Sequence, residues 1–181
     1  TLIVQTLDGP DTLEVPDAVL VHPLPFANAG ADELVCQGEG VQLLASGGVA
    51  YQWIPTTGLD DPNSSDPYVE PIGNITYTAL VTDANGCQGS DAVTISVAPT
   101  PVITVNAGNN VLCAGDTLDL LAEGGALYTW SPNIFLSANS GAAVRAWPAD
   151  DFTWSVSATD VFGCPGTATV SIDVVPAATT P

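Results

Sequence analysis

The stretch CQGEGVQLLASGGVAYQWIP, residues 36–55, recurs as CAGDTLDLLAEGGALYTWSP, residues 113–132. A second motif, TDxxGCxG, contains Cys87 and recurs around Cys164 at the same offset. Without any gap, the two copies share 21 identities in 62 aligned positions. A repeat that keeps its register over this length indicates that one structural unit occurs twice in the chain.

Apolar residues within each repeat alternate with polar ones, which is the period of a strand and not of a helix. Tyr51 and Trp53 alternate in this way, as do Val93, Ile95 and Val97 in the closing run of the first repeat. Gly-Gly, Asp-Pro and Asn-Gly pairs separate these short runs. The pattern predicts an all-β fold that consists of two tandem β-sandwiches.

The predicted domain boundaries follow the repeat. Residues 26–99 form the first repeat, and residues 100–181 form the second repeat with a C-terminal linker. Residues 1–25 are too few for a core of their own. They are expected to be terminal strands of a preceding repeat, or a hairpin donated to a neighbouring molecule, followed by a linker. The strand-like runs in this segment are Leu2–Val4 and Ala18–Val21.

Several of these motifs together carry a family resemblance, namely residues 27–32 (ANAGAD), Cys36, Leu43, and residues 45–48 (ASGG), 51–53 (YQW), 76–78 (TYT) and 82–87 (TDANGC). The chain resembles the Ig-like, PKD-like repeat domains of giant surface proteins and type IX-secreted proteins of the Bacteroidetes. Such domains often accompany gliding-motility or sorting domains. The resemblance implies tandem immunoglobulin-like sandwiches at the bacterial cell surface or in the extracellular space.

Four cysteines in two evenly spaced pairs favour disulfides and an oxidising compartment. The sequence interpretation pairs Cys36 with Cys87 and Cys113 with Cys164, so that each sandwich has one disulfide. Each bond would close a loop of roughly 50 residues and contribute about 4 kcal/mol through chain entropy. Free reactive thiols are the alternative.

Four aromatic residues are predicted to belong to the two cores. Trp53 and Trp130, with Tyr51 and Tyr128 two residues earlier, occupy the strand position that usually fills such sandwiches. A sugar-stacking platform is the alternative role for the two tryptophans.

Arg145 and Trp147 are a candidate interface, in which the arginine would form a cation–π pair with the indole ring. In the repeat alignment Trp147 takes the place of Glu70, and Pro148 follows it directly.

Oxygen-rich positions suggest two further kinds of site. Asp60, Asp61 and Asp66 crowd one loop and are weak candidates for calcium, although no fixed calcium-binding spacing is present and a solvated acidic surface is the alternative. Thr12 and Thr117 follow an Asp and precede a Leu. This Asp-Thr-aliphatic pattern resembles the O-glycosylation acceptor of the Bacteroidetes.

The charge of the chain limits its partners. One Lys or Arg against 20 Asp and Glu gives a formal net charge of −19. So acidic a surface repels nucleic acid, and the absence of a long apolar run argues against membrane insertion. With a single histidine, His22, and no lysine, we expect no enzymatic activity and no cofactor.

The sequence therefore predicts a non-catalytic extracellular structural module, the shaft or spacer of a surface appendage, fibre or giant adhesin. Its expected partners are other copies of itself or adjacent repeats, and cell-surface glycans are a further candidate. A glycan- or protein-binding adhesive module, or an accessory domain of a secreted hydrolase, are the alternatives.

Overall fold

The computed structural model describes residues 2–6, 9–13 and 21–176. In this part of the chain every regular element is a strand, and no helix occurs. The predicted all-β class is therefore confirmed. No helix that could cross a membrane was found among these residues.

The first repeat contains six strands in two sheets. One sheet has the order β3-β8-β7-β5, and a second, short one pairs β4 with β6. In the larger sheet β3 runs parallel to β8, while β5 and β7 are antiparallel. The strands are β3 (Glu33–Cys36), β4 (Val41–Gln42), β5 (Ala50–Ile54), β6 (Tyr68–Val69), β7 (Ile75–Thr82) and β8 (Gln88–Ala98).

The second repeat has the same arrangement with one more strand. Its sheets have the orders β10-β15-β14-β12 and β13-β11-β9, and β10 again runs parallel to the closing strand β15. The strands are β9 (Thr104–Asn106), β10 (Val111–Cys113), β11 (Leu118–Glu123), β12 (Leu127–Ser131), β13 (Ala143–Ala146), β14 (Phe152–Thr159) and β15 (Pro165–Val175).

The core of the second repeat lies between its two sheets and is made of the inward members of the alternating strands. Leu120 and Val144 come from one sheet, and Trp130, Trp154 and Ile172 come from the other. Trp154, Leu120 and Ile172 have no exposed surface. In the first repeat the corresponding residues are buried as well, namely Leu43, Trp53, Tyr77 and Ile95.

The two repeats differ most in the strand that follows the first cysteine. β11 is six residues long, whereas β4 has only two. The backbone of the first repeat nevertheless continues the same pairing, because Leu43 N–H donates to Pro67 O (2.9 Å) and Ala45 N–H donates to Ser65 O (2.7 Å).

Strands β1 (Leu2–Thr6) and β2 (Gly9–Leu13) form an antiparallel two-stranded sheet with each other. Thus the partner of the first strand-like run is the next strand along the chain. Residues 18–20 of the other strand-like run lie outside the described residues. Pairing of the segment 1–25 with a preceding repeat or a neighbour stays a prediction.

The chain divides into two compact units whose boundaries do not follow the sequence repeats. One unit holds Gln42–Val69 and Thr76–Val93 together with the chain up to Ala31. The other holds Asp32–Val41, Glu70–Ile75 and the chain from Thr94 onward. The predicted domain boundaries, 1–25, 26–99 and 100–181, stay predictions.

Candidate functional site: the cysteine-bearing turns and strand ends

The turn from Asp83 to Cys87 is built around one carboxylate. Asp83 Oδ1 accepts hydrogen bonds from the backbone N–H groups of Asn85 and Cys87, both at 2.8 Å. Asp83 N–H in turn donates to Cys87 O at 2.9 Å. Gly86 has a φ of 83°, a left-handed conformation that favours glycine. The sequence Asp-x-x-Gly-Cys therefore fixes the position of the Cys87 backbone.

The charged form of Asp83 is stabilised by this turn. Desolvation alone would raise the pKa of Asp83, but the hydrogen bonds donated by Cys87 and Asn85 lower it below its ordinary value.

The second repeat builds the same turn. Asp160 Oδ1 accepts from Phe162 N–H (2.8 Å) and Cys164 N–H (2.9 Å). Asp160 N–H donates to Cys164 O at 3.0 Å, and Gly163 has a φ of 86°. Each of these hydrogen bonds has nearly the same length as its counterpart in the first repeat. The motif thus specifies the same local backbone twice.

The other two cysteines end short strands. Cys36 closes β3 and lies opposite Ala98, the last residue of β8. Cys113 closes β10 and lies opposite Val175, the last residue of β15. In both repeats the strand-end cysteine is therefore placed at the C-terminal end of the closing strand.

All four cysteines lie within residues 21–176, where one disulfide joins Cys36 to Cys164 with Cα atoms 5.5 Å apart. Cys87 and Cys113 are free. The predicted pairs Cys36–Cys87 and Cys113–Cys164 are therefore wrong, and so is the expectation of one disulfide within each sandwich.

The length of the closing strand explains why the predicted pairs do not form. Cys87 immediately precedes β8, while Cys36 lies at the other end of this eleven-residue strand. At about 3.3 Å per residue, roughly 35 Å separates the two ends. A disulfide needs Cα atoms within about 7 Å. Cys113 and Cys164 are separated by β15 in the same way, since it also has eleven residues.

The linker between the repeats brings the bonded cysteines together. Cys36 lies opposite Ala98, three residues before Pro101. The carbonyl oxygen of Pro101 packs against Gly166, where an added Cβ would lie only 2.7 Å from it. Gly166 is two residues after Cys164. Glycine at this position therefore lets the linker run past the turn that contains Cys164.

The predicted core aromatics are held by equivalent hydrogen bonds in both repeats. Trp53 is 0% and Trp130 2% exposed, and each indole Nε1–H donates to the carbonyl oxygen eleven residues later, at 3.0 and 2.9 Å. Tyr51 and Tyr128 are half-buried, and each hydroxyl donates to the carbonyl oxygen three residues earlier. These contacts favour the core role over a sugar-stacking platform for the tryptophans.

Arg145 pairs with a carboxylate. Its Nε donates to Asp119 Oδ1 at 3.0 Å across β13 and β11, and this contact raises the pKa of Arg145. Trp147 is 44% exposed. In the described part of the chain the aromatic contacts do not include a pair between Arg145 and Trp147, so the structure gives no support to the predicted cation–π contact.

The three calcium candidates cap their own loop. Asp60 Oδ1 accepts from Asp61 N–H and Tyr68 N–H, and Asp61 Oδ1 accepts from Asn63 N–H. Asp66 Oδ1 accepts from Ser64 Oγ. Among residues 21–176 no group of three or more His, Cys, Asp or Glu side chains is placed to hold a metal ion.

The remaining candidates are the two threonines of the Asp-Thr-Leu motifs. Thr117 is exposed just before β11, and Thr12 lies in β2. Their glycosylation stays a prediction.

Comparison with solved structures identifies the fold. The chain superposes on the N-terminal eight Ig domains of Down syndrome cell adhesion molecule with a TM-score of 0.57 and 14% identity, over 83% of this chain and 27% of that one. This match shows that the fold is immunoglobulin-like. An E-to-A mutated variant of titin domains I67–I69 is similar with a TM-score of 0.48 and 10% identity, over 86% of this chain and 67% of that one. The chain spans about a quarter of the eight-domain fragment it matches.

No protein-family model and no curated protein sequence matches the chain.

The inter-repeat disulfide was missed because the sequence does not reveal strand direction. Both Cys36 and the closing strand β8 belong to the first repeat, and only the parallel pairing of β3 with β8 places Cys36 at the far end of that strand. Alternation of apolar residues is the same for a parallel and an antiparallel strand. The linker that follows Ala98 is the one sequence signal that leads from Cys36 toward the second repeat.

Proposed function

We propose that the chain is a non-catalytic structural module of an extracellular protein, and that it serves as a shaft or spacer segment of a bacterial surface appendage, fibre or giant adhesin. The observation that carries the proposal is the Cys36–Cys164 disulfide, which ties one repeat to the other. The immunoglobulin-like fold, shared with a cell adhesion molecule, is consistent with an extracellular role. The bacterial surface comes from the family resemblance.

The disulfide shortens the covalent path along which tension would pass. A pull on the two chain ends would travel through β3 to Cys36, cross the disulfide to Cys164, and leave through β15. Both strands are already extended, so little length can be gained along this path. The 127 residues between the two cysteines (128 − 1) would bear no tension along the backbone.

Single-molecule pulling on the full chain tests this role. With the disulfide intact, extension should come only from the residues outside the loop. After reduction the loop should add up to about 430 Å, because each residue extends to about 3.4 Å. Cys36→Ser should behave like the reduced chain without any reductant.

The matched control is the double variant Cys87→Ser/Cys113→Ser, which keeps the disulfide and should extend like the unsubstituted chain. If the oxidised and reduced chains extended to the same total length, the tension-shielding role would be wrong. The adhesive module would then be the better assignment.

A further inference from the structure

The two free thiols occupy the same repeat positions as the two bonded ones. In the gap-free alignment of the repeats, Cys87 is the counterpart of Cys164, and Cys113 is the counterpart of Cys36. Each kind of cysteine therefore occurs in two states. The strand-end cysteine is bonded in the first repeat and free in the second, and the turn cysteine is free in the first repeat and bonded in the second.

The strand-end thiol is held as its bonded counterpart is held. Cys113 lies opposite the last residue of β15, and the next residue, Ala114, donates its N–H to the carbonyl of that residue at 2.9 Å. Cys36 lies opposite the last residue of β8, and Gln37 makes the same bond at 2.8 Å. Cys113 is exposed, so its sulfur can be reached from solvent.

The turn thiol, Cys87, is also positioned like its bonded counterpart. The hydrogen bonds around Cys87 repeat those around Cys164. Moreover the chain that enters the first repeat runs past this turn, since the carbonyl oxygen of Pro25 would lie 2.6 Å from a Cβ at Gly89. At the bonded turn Pro101 makes the corresponding approach to Gly166.

Among the 181 residues, the two thiols have no free partner other than each other. Residues 1–24 contain no cysteine, and the only other unbonded cysteine of the chain is Cys113. In the folded chain the two thiols are not bonded to each other. A second copy of the chain carries both kinds of thiol, one at the strand end and one in the turn.

We propose that Cys113 of one copy forms a disulfide with Cys87 of a second copy, so that chains join head to tail through repeats of the Cys36–Cys164 bond. The inference rests on the proposed extracellular function, because such a bond persists only in an oxidising compartment. Its second, independent support is the Cys36–Cys164 bond itself, which shows these two repeat positions bonded.

Formation of the bond needs an electron acceptor. The thiols of Cys113 and Cys87 lose two protons and two electrons as the S–S bond forms, and a low-molecular-weight disulfide takes them up and is released as two thiols. The net charge of −19 opposes close approach of two copies. At about 0.15 M NaCl the Debye length is about 8 Å, which screens this repulsion until the ends meet.

Two single variants test the pairing. Cys113→Ser retains only the turn thiol and Cys87→Ser only the strand-end thiol, and both keep the Cys36–Cys164 disulfide. The full chains are incubated with a mixture of oxidised and reduced glutathione at about 0.15 M NaCl. Non-reducing gels and peptide mapping by mass spectrometry identify the products.

The mixture of the two variants should give a covalent dimer of twice the 18.4 kDa chain mass, whereas each variant alone should stay monomeric. The unsubstituted chain should give a ladder of higher multiples with a Cys113–Cys87 peptide. Dimers of either variant alone in equal yield, no dimer in the mixture, or a bond between Cys87 and Cys113 of one chain would each overturn the proposal.

The pulling experiment separates this result from the proposed function. If no ladder forms but the oxidised chain still resists extension, only the head-to-tail bond is wrong. If the oxidised chain extends like the reduced one, the proposed function fails whatever the ladder shows.

Discussion

In the first repeat Asp83 holds a turn whose cysteine is free, and in the second repeat Asp160 holds the same turn around a cysteine that is bonded. The hydrogen bonds of the two turns are nearly identical, so the local motif does not decide the redox state of its cysteine. What differs is the segment that reaches the turn. The linker that runs past the second turn follows Ala98, and Cys36 lies opposite that residue. Residues 1–24, which precede the segment that runs past the first turn, contain no cysteine.

The largest expected effect comes from removing the bond that distinguishes the two turns. The double variant Cys36→Ser/Cys164→Ser should lose about 5 kcal/mol of unfolding free energy, because the bond closes a loop of roughly 130 residues in the unfolded chain. Urea denaturation followed by far-UV circular dichroism measures the difference.

Cys87→Ser/Cys113→Ser is the matched control, and its urea midpoint should equal that of the unsubstituted chain under conditions where only monomers are present. Equal midpoints for both double variants would mean that the observed disulfide does not restrict the unfolded chain. The bonded turn would then contribute no more to the free energy of unfolding than the free one.

The two core tryptophans provide the next largest effect and should behave alike. Trp53→Ala and Trp130→Ala each leave a cavity in a close-packed core, and each should cost about 3–5 kcal/mol. Both side chains are buried to nearly the same degree and donate to equivalent carbonyl oxygens. The measurement is again urea denaturation of each variant.

Trp53→Phe and Trp130→Phe keep an aromatic ring but remove the indole donor, which leaves a carbonyl oxygen unpaired at a cost of about 1–3 kcal/mol. A large loss in one repeat with none in the other would show that the two cores are not equivalent, despite their shared register.

Much of the fold could be predicted because burial imposes alternation on the strands. Tyr77 and Trp154 differ in type and chemistry, yet they occupy the same repeat position and donate to Thr57 O and Ile134 O, which are themselves equivalent positions of the two repeats. The repeat alone therefore predicts the inward faces, although it misses the brevity of β4, where the pairing continues beyond the strand.

The disulfide could not be predicted in the same way, because it depends on strand direction and on the path of the linker. Cys36 and Cys87 are close in neither sequence nor space once β3 pairs parallel with the far end of β8. Nor does the sequence show that Asp119 would engage Arg145, since the two residues lie on different strands whose register only the fold sets.

The smallest expected effect comes from substituting the carboxylate that holds each turn. Asp83→Asn removes the negative charge of the carboxylate whose Oδ1 accepts two backbone N–H bonds, and Asp160→Asn does the same in the second repeat. At pH 7 both variants should melt below the unsubstituted chain. The drop should be larger for Asp83→Asn, because the disulfide at Cys164 still restrains the turn that Asp160 holds.

The effect of Asp83→Asn should also depend on pH, with a sign that follows from the lowered pKa of Asp83 in the folded chain. A carboxyl whose pKa is depressed by folding stabilises the fold above its unfolded pKa, about 3.9, and loses this contribution as the pH falls through the folded value. Thermal unfolding of both chains between about pH 2 and pH 7 should therefore show a difference at neutral pH that disappears in acid. A difference that persisted unchanged at the lowest pH would show that the substitution acts through packing, and that the charge of Asp83 does not hold the turn.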